Sequence, residues 1–144
     1  MKNNKGFTLI ELLAVIIILA IIALITTPII LNVVNKARLD AAKDKAWGTI
    51  DAVKVAYAQD QSENEDLVPF PIEVSFPRVG DVGGSIGITE VKMSGQKPEA
   101  GTVTMQEDGT ITCCNLKFGN YYCTTKDGNT MNCDTEQDQL CKNE

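Results

Sequence analysis

Phe7-Thr8-Leu9-Ile10-Glu11-Leu12-Leu13-Ala14-Val15-Ile16-Ile17-Ile18-Leu19-Ala20-Ile21-Ile22-Ala23-Leu24-Ile25 is the stretch that decides how this chain folds. From Leu12 to Ile25 fourteen apolar residues run without a break. From Phe7 to Leu31 only Thr8, Glu11, Thr26, Thr27 and Pro28 interrupt the apolar pattern. About 20 residues of α-helix cross a bilayer core at ~1.5 Å each, so residues 7–31 are predicted to be a membrane-spanning helix. Glu11 is the single acidic residue among the first 39. A carboxylate in hydrocarbon costs roughly 2.5–3.5 kcal/mol, so it needs either an interface or a partner. A single-pass anchor with a snorkelling Glu11 is one reading; a docking group with a cationic partner is the other.

Two lysines, Lys2 and Lys5, precede the run and predict a cytoplasmic N-terminus. They look like the charged region of a secretory signal. No small-x-small cleavage site follows the apolar stretch, however, and no Cys occurs before Cys113 for lipid attachment.

Charge and cysteine are distributed unevenly. The 144-residue chain has a formal net charge of −6 and no His. Residues 1–35 carry two lysines against Glu11, a net of +1. Residues 36–144 carry 11 basic and 18 acidic side chains, a net of −7. An acidic solvated surface follows, and no specific nucleic-acid partner is predicted. All five cysteines, Cys113, Cys114, Cys123, Cys133 and Cys141, lie in the last 32 residues. Zinc clusters usually pair their cysteines two to four residues apart, and these spacings do not, so disulfides are expected in an oxidising compartment. Five is odd, so one thiol stays free or pairs between chains. Adjacent residues in a strand face opposite ways, so Cys113 and Cys114 should have different fates. Two bridges among five cysteines allow 15 pairings. The pairing favoured is Cys113 or Cys114 with Cys123, and Cys133 with Cys141.

Beyond Pro28 the pattern changes to a stripe. Leu39, Ala42, Ala46, Ile50, Val53 and Tyr57 recur at helical spacing, with Asp40, Lys43, Asp44, Asp51 and Lys54 on other faces. Residues 32–60 are therefore predicted to be an amphipathic helix that docks on a sheet. Pro28 lacks a backbone donor and crowds the carbonyl of Leu24, which predicts a kink, with Thr26 and Thr27 helping to satisfy freed carbonyls. Gly48 is a second weak point. Residues 61–72 read as an acidic, Pro-punctuated loop, 73–77 as a short strand, Gly80 to Gly84 as a loop and Ile86 to Met93 as a strand.

Residues 102–106 and 110–113 read as a hairpin. A three-residue loop with Gly109 left-handed sets Met105 opposite Ile111 and Val103 opposite Cys113, which puts one apolar face together. Tyr121 to Thr125 and Asn129 to Cys133 should repeat this around Lys126-Asp127-Gly128. The whole is an α+β fold: a long N-terminal helix packed on a small antiparallel sheet, with residues 61–144 as a disulfide-stapled head.

Lys5-Gly6-Phe7-Thr8-Leu9-Ile10-Glu11-Leu12 resembles the processing signal of type IV pilins and pseudopilins. In that family a short basic leader, here residues 1–6, is cut after a Gly. The new N-terminal Phe is methylated on its amine, and an acidic residue stands fifth. The resemblance implies cleavage between Gly6 and Phe7, N-methylation of Phe7 and subunit docking through Glu11. Pro28 matches the family's long helix. A glycine lets a protease approach the backbone closely. The resemblance further implies a prepilin peptidase, an assembly ATPase and a membrane platform protein as partners. The product would be a homopolymer of pilin subunits, an extracellular filament supplied from the membrane; a pseudopilin of a secretion or competence machine shares the same N-terminus.

Neither a cofactor nor catalysis is expected. The commonest general base is missing, and no nucleophile elbow or phosphate-binding fingerprint occurs. Asp134, Glu136 and Asp138 lie close together but lack the Gly-centred loop of an EF-hand, so no metal is expected.

Overall fold

The computed structural model describes residues 6–63, 69–76, 85–86 and 89–142. The described residues fall into two units, one ending at Arg38 and one beginning at Leu39. The expected loop at Gly80 to Gly84, Lys2, Lys5 and the leader before Gly6 lie outside the described residues, as do residues 64–68 of the expected acidic loop.

One helix, α1 (Leu9–Glu63), runs through both units without a break at Pro28 or Gly48. Its first part is apolar on every side, which is what a lipid-facing helix requires. Leu12, Ile16, Leu19, Ile22, Ile25, Ile29 and Val33 are all more than half exposed. At Pro28 the chain keeps helical geometry although one backbone donor is lost. Thr27 donates its hydroxyl to the Ala23 carbonyl at 2.6 Å and Thr26 to the Ile22 carbonyl at 3.0 Å. The threonines thus serve the carbonyls of the preceding turn.

In the second unit α1 packs on a sheet. Its buried positions are Ala42, Ala46, Thr49, Ile50, Val53, Ala56 and Asp60. The predicted stripe holds at Ala42, Ala46, Ile50 and Val53, while Leu39 and Tyr57 sit half-buried at its margins. Ala42, Ala46 and Ala56 are buried in the core shared with the sheet. Thr49 is tolerated because its hydroxyl donates to the Lys45 carbonyl at 2.9 Å.

The sheet has five antiparallel strands in the order β1 (Ile72–Phe76), β4 (Gly101–Met105), β5 (Ile111–Phe118), β6 (Tyr121–Thr125) and β7 (Asn132–Asp134). Two short strands, β2 (Ser85–Ile86) and β3 (Thr89–Glu90), pair with each other. Alternation builds one apolar face. Ile72, Val74 and Phe76 of β1, Val103 and Met105 of β4, and Ile111, Cys113, Leu116 and Phe118 of β5 are buried with the helix stripe in one core. An α+β architecture results, as expected from the sequence.

The first hairpin forms in the predicted register. Met105 faces Ile111 and Val103 faces Cys113. Gly109 has φ +83°, the left-handed value the three-residue loop needs, and Asp108 accepts from the Thr110 amide at 2.8 Å.

Three local expectations are corrected. The helix continues to Glu63 rather than giving way at 61. Of the strand expected over 86–93, residues 87–88 lie outside the described residues, Ile86 belongs to β2 and Thr89–Glu90 form β3; residues 91–93 carry no strand, and Val91 is buried without joining a ladder. The second hairpin does not repeat the first, since β7 starts at Asn132 rather than Asn129. Asp127 is the reason. Its Oδ1 accepts from the amides of Asn129 at 2.9 Å and Thr130 at 2.8 Å, so those donors are taken from the ladder. The same bonds hold the Asp127 carboxyl well below the usual carboxylate range, the Thr130 amide being the largest cause.

Candidate functional site

The N-terminal segment is built around a helix cap. Gly6, Phe7 and Thr8 precede α1, and Phe7 is 93% exposed. Thr8 occupies the N-cap. Its backbone N–H donates to Glu11 Oε2 at 2.8 Å and its hydroxyl donates to the same oxygen at 2.7 Å. In return the Glu11 amide donates to Thr8 Oγ1 at 3.4 Å. This reciprocal arrangement is a capping box, in which two of the helix's unsatisfied donors find partners. It also places a carboxylate at the positive end of the helix dipole.

Thr8 is the residue sequence reasoning missed. The signal was present: a Ser/Thr, two residues, then an acid before an apolar run is a capping-box pattern. Besides an interface or a cation, Glu11 has a partner in its own chain, which supplies two hydrogen bonds. Both fall on Oε2; Oε1 accepts none among the described residues. The bond between Gly6 and Phe7 lies two residues ahead of the helix start at Leu9. The Thr8 N–H lies beyond that bond, so cleavage there leaves the cap chemically intact.

A Thr8→Ala chain should therefore fray at its first turn. Losing an N-cap costs about 1 kcal/mol, so amide exchange of residues 9–12 in detergent micelles should quicken by roughly fivefold. Unchanged exchange would show that the cap contributes nothing there.

The cysteines occupy the second unit. Cys114 is bonded to Cys141 with Cα atoms 5.7 Å apart, and Cys123 to Cys133 with Cα atoms 4.1 Å apart. The expected pairing of Cys123 with Cys113 or Cys114, and of Cys133 with Cys141, is corrected. Register is the cause. Cys123 stands directly opposite Cys133 on β6 and β7, whereas Cys113 stands opposite Thr125. The expectation that Cys113 and Cys114 part ways holds. Cys114 points to the outer face and Cys113 to the core, where it is free. The Cys113 thiol donates to the Cys123 carbonyl at 3.8 Å, and Met131 Sδ lies 3.9 Å away. Burial pushes this thiol up to about 11, so it is unreactive at neutral pH.

Among the described residues no group of three or more His, Cys, Asp or Glu side chains could hold a metal ion. Helix α1 is long and apolar enough near its N-terminus to cross a membrane, by length and composition. Residues 1–27 match the prokaryotic N-terminal methylation motif, the prepilin-type cleavage and methylation signal. A search of curated proteins and a search of solved structures each find no match.

Proposed function

We propose that this chain is the structural subunit of a type IV pilus, made as a membrane-anchored precursor and polymerised through its first helix. The methylation motif at residues 1–27 supports a type IV pilin-like or pseudopilin precursor and a structural role. One observation carries the reading further: the motif overlaps the start of a helix whose apolar residues from Leu9 to Val34 are exposed on all sides. Such a surface needs lipid or other copies of itself. A bilayer reservoir and a bundle of like helices bury the same surface, so a subunit can pass between them at modest free-energy cost.

Cleavage between Gly6 and Phe7 by a prepilin peptidase frees an α-amino group, a cation near neutral pH. In the bundle this amine meets Glu11 of a neighbouring subunit. With Oε2 held by Thr8, Oε1 is the oxygen left to receive it. The pair sets register, because an axial slip leaves both charges unmatched in an apolar interior. An assembly ATPase and a membrane platform protein supply the work of extraction. The N-terminus faces the cytoplasm and the assembled filament is extracellular. Pro28 provides a bend in the bundled helix.

Two measurements test this. Mass spectrometry of assembled material should find chains beginning at N-methyl-Phe7; an intact Met1 on polymerised subunits would refute the processing. Electron microscopy of the producing cell should show long surface filaments. Short stubs confined to the envelope would assign the chain to the pseudopilins instead.

A further inference from the structure

After β7 the chain does not leave the sheet. Residues 135–142 end in a short 3-10 turn, Gln139–Lys142, and three fastenings hold this strap to the outer face of β5 and β6. The Asn115 side-chain amide makes two bonds to the backbone of Asp138: Nδ2 donates to its carbonyl at 3.0 Å, and its N–H donates to Oδ1 at 2.8 Å. Lys126 Nζ lies 3.1 Å from Asp138 Oδ2. The Cys114–Cys141 disulfide closes the end. The strap forms one wall of a groove of about 480 Å³ against Tyr122, Thr124 and Asn132.

The two disulfides sit in unlike surroundings. Cys123 is completely buried on the helix-facing side; its partner Cys133 is half-buried and lines the groove, but attack there would expel the Cys123 thiolate into an apolar core, where burial makes it a poor leaving group. Cys114 and Cys141 are only half-buried. Polar atoms lie near both of their sulfurs, the Cys141 carbonyl oxygen being 3.3 Å from Cys114 Sγ. Asn115 Nδ2 is 3.6 Å from Cys114 Sγ, and the Thr124 hydroxyl oxygen is 4.0 Å from Cys141 Sγ. Thr124 Oγ1 accepts the Asn115 backbone amide at 3.1 Å. Exchange runs faster when the attacked bond is accessible and the departing thiolate is stabilised.

We propose that Cys114–Cys141 is a thiol-exchange site, a latch that a dithiol opens to release the strap while the core disulfide and the sheet stay intact. A thiolate of the dithiol attacks Cys141 Sγ, and the bond to Cys114 breaks. Cys114 leaves as a thiolate beside the Asn115 amide and takes up a proton. The second thiol of the dithiol then closes on the first sulfur and expels Cys141, which is also protonated. Two electrons pass to the protein and the dithiol becomes a disulfide. Cys113 takes no part, since it is buried on the opposite face. The Asn115 clasp on Asp138 keeps the strap close, so reoxidation restores the same pair rather than scrambling it.

The test uses the full chain in detergent micelles, treated with graded dithiothreitol, alkylated and mapped by mass spectrometry. Cys114 and Cys141 should be labelled together at roughly tenfold lower dithiol than Cys123 and Cys133, with Cys113 still protected and the circular dichroism spectrum unchanged. Amide exchange should rise in residues 135–142 alone. A chain carrying both Cys114→Ser and Cys141→Ser should show that same raised exchange with no reductant. Simultaneous reduction of both disulfides, prior reduction of Cys123–Cys133, or unfolding of the double variant would each overturn the latch.

Discussion

A Glu11→Ala chain should enter the membrane and be cut between Gly6 and Phe7, yet yield no filament. Removing the carboxylate lowers the cost of insertion, so the membrane pool should not fall. On the proposed docking role, what is lost is the site for the neighbour's amine. Breaking a buried pair by deleting one partner costs roughly 3–5 kcal/mol, because the other charge stays buried and unmatched. At about 1.4 kcal/mol per decade, each subunit contact weakens by more than a hundredfold. The same substitution also removes the bonds that Thr8 makes to Glu11 Oε2, at 2.7 and 2.8 Å. Glu11→Gln separates the two roles. Glutamine retains a capping box but carries no charge. Filaments absent from both variants, with normal membrane levels and N-methyl-Phe7 in each, point to the inter-subunit pair. Filaments restored in Glu11→Gln would assign the defect to helix capping, and normal filaments in Glu11→Ala would remove Glu11 from assembly altogether.

The sequence was most legible where a single period dominates. Residues 9–34 are apolar in every direction, so no competing structure was available to them, and the helix followed. The stripe from Ala42 to Val53 announced its buried face because 3.6-residue spacing survives any detail of the sheet. The first hairpin was legible because only one loop length brings Met105, Ile111, Val103 and Cys113 to one side. The second was not. There a single carboxylate, Asp127, competes with the ladder for the same amides, and side-chain bonds of that kind leave no periodic trace. The cysteine pairing failed for a related reason. In β5 the buried positions run Ile111, Cys113, then Leu116 and Phe118, so the alternation slips by one between 113 and 116. A bulge is a two-residue event, invisible to a pattern of period two, and it sets which sulfurs can meet. At the candidate site the charge of Glu11 stands out by itself, whereas Thr8 is legible only through its spacing, as the hydroxyl three residues ahead of an acid.

That bulge carries the second large effect. A Gly101→Ala chain should lose most of the stability of its sheet domain. Asn115 is the one non-glycine residue with positive φ, +51°, among the described residues, and Gly101 lies against it across the β4–β5 ladder with φ +111°. A Cβ on Gly101 would stand 2.5 Å from the Asn115 carbonyl oxygen, 2.7 Å from its carbon and 2.7 Å from the Leu116 nitrogen. All three are backbone atoms, so no side chain can swing aside. The ladder continues on the far side, where the Glu99 amide donates to the Lys117 carbonyl at 2.8 Å and the Lys117 amide to the Ala100 carbonyl at 2.9 Å, so β4 is held against β5 on both sides of the contact. Relief requires either lifting β4 or flattening the bulge. Flattening it would turn Leu116 and Phe118, now 0% and 4% exposed, toward the outer face. The conformational strain alone is of order 1–3 kcal/mol, and displaced core side chains add to it, so the total should reach about 3 kcal/mol or more. For a domain of this size the melting temperature should drop by more than ~10 °C. Gly109→Ala is the control. Gly109 also has positive φ, +83°, but nothing stands within 4 Å of its Cβ position. It should lose only about 1 kcal/mol. Thermal unfolding of the two variants followed by circular dichroism, disulfides intact, decides the matter. Equal losses would mean that glycine is needed at 101 for its backbone angle alone; a much larger loss at 101 shows that the close passage of two backbones fixes the bulge, and with it the phase of the core.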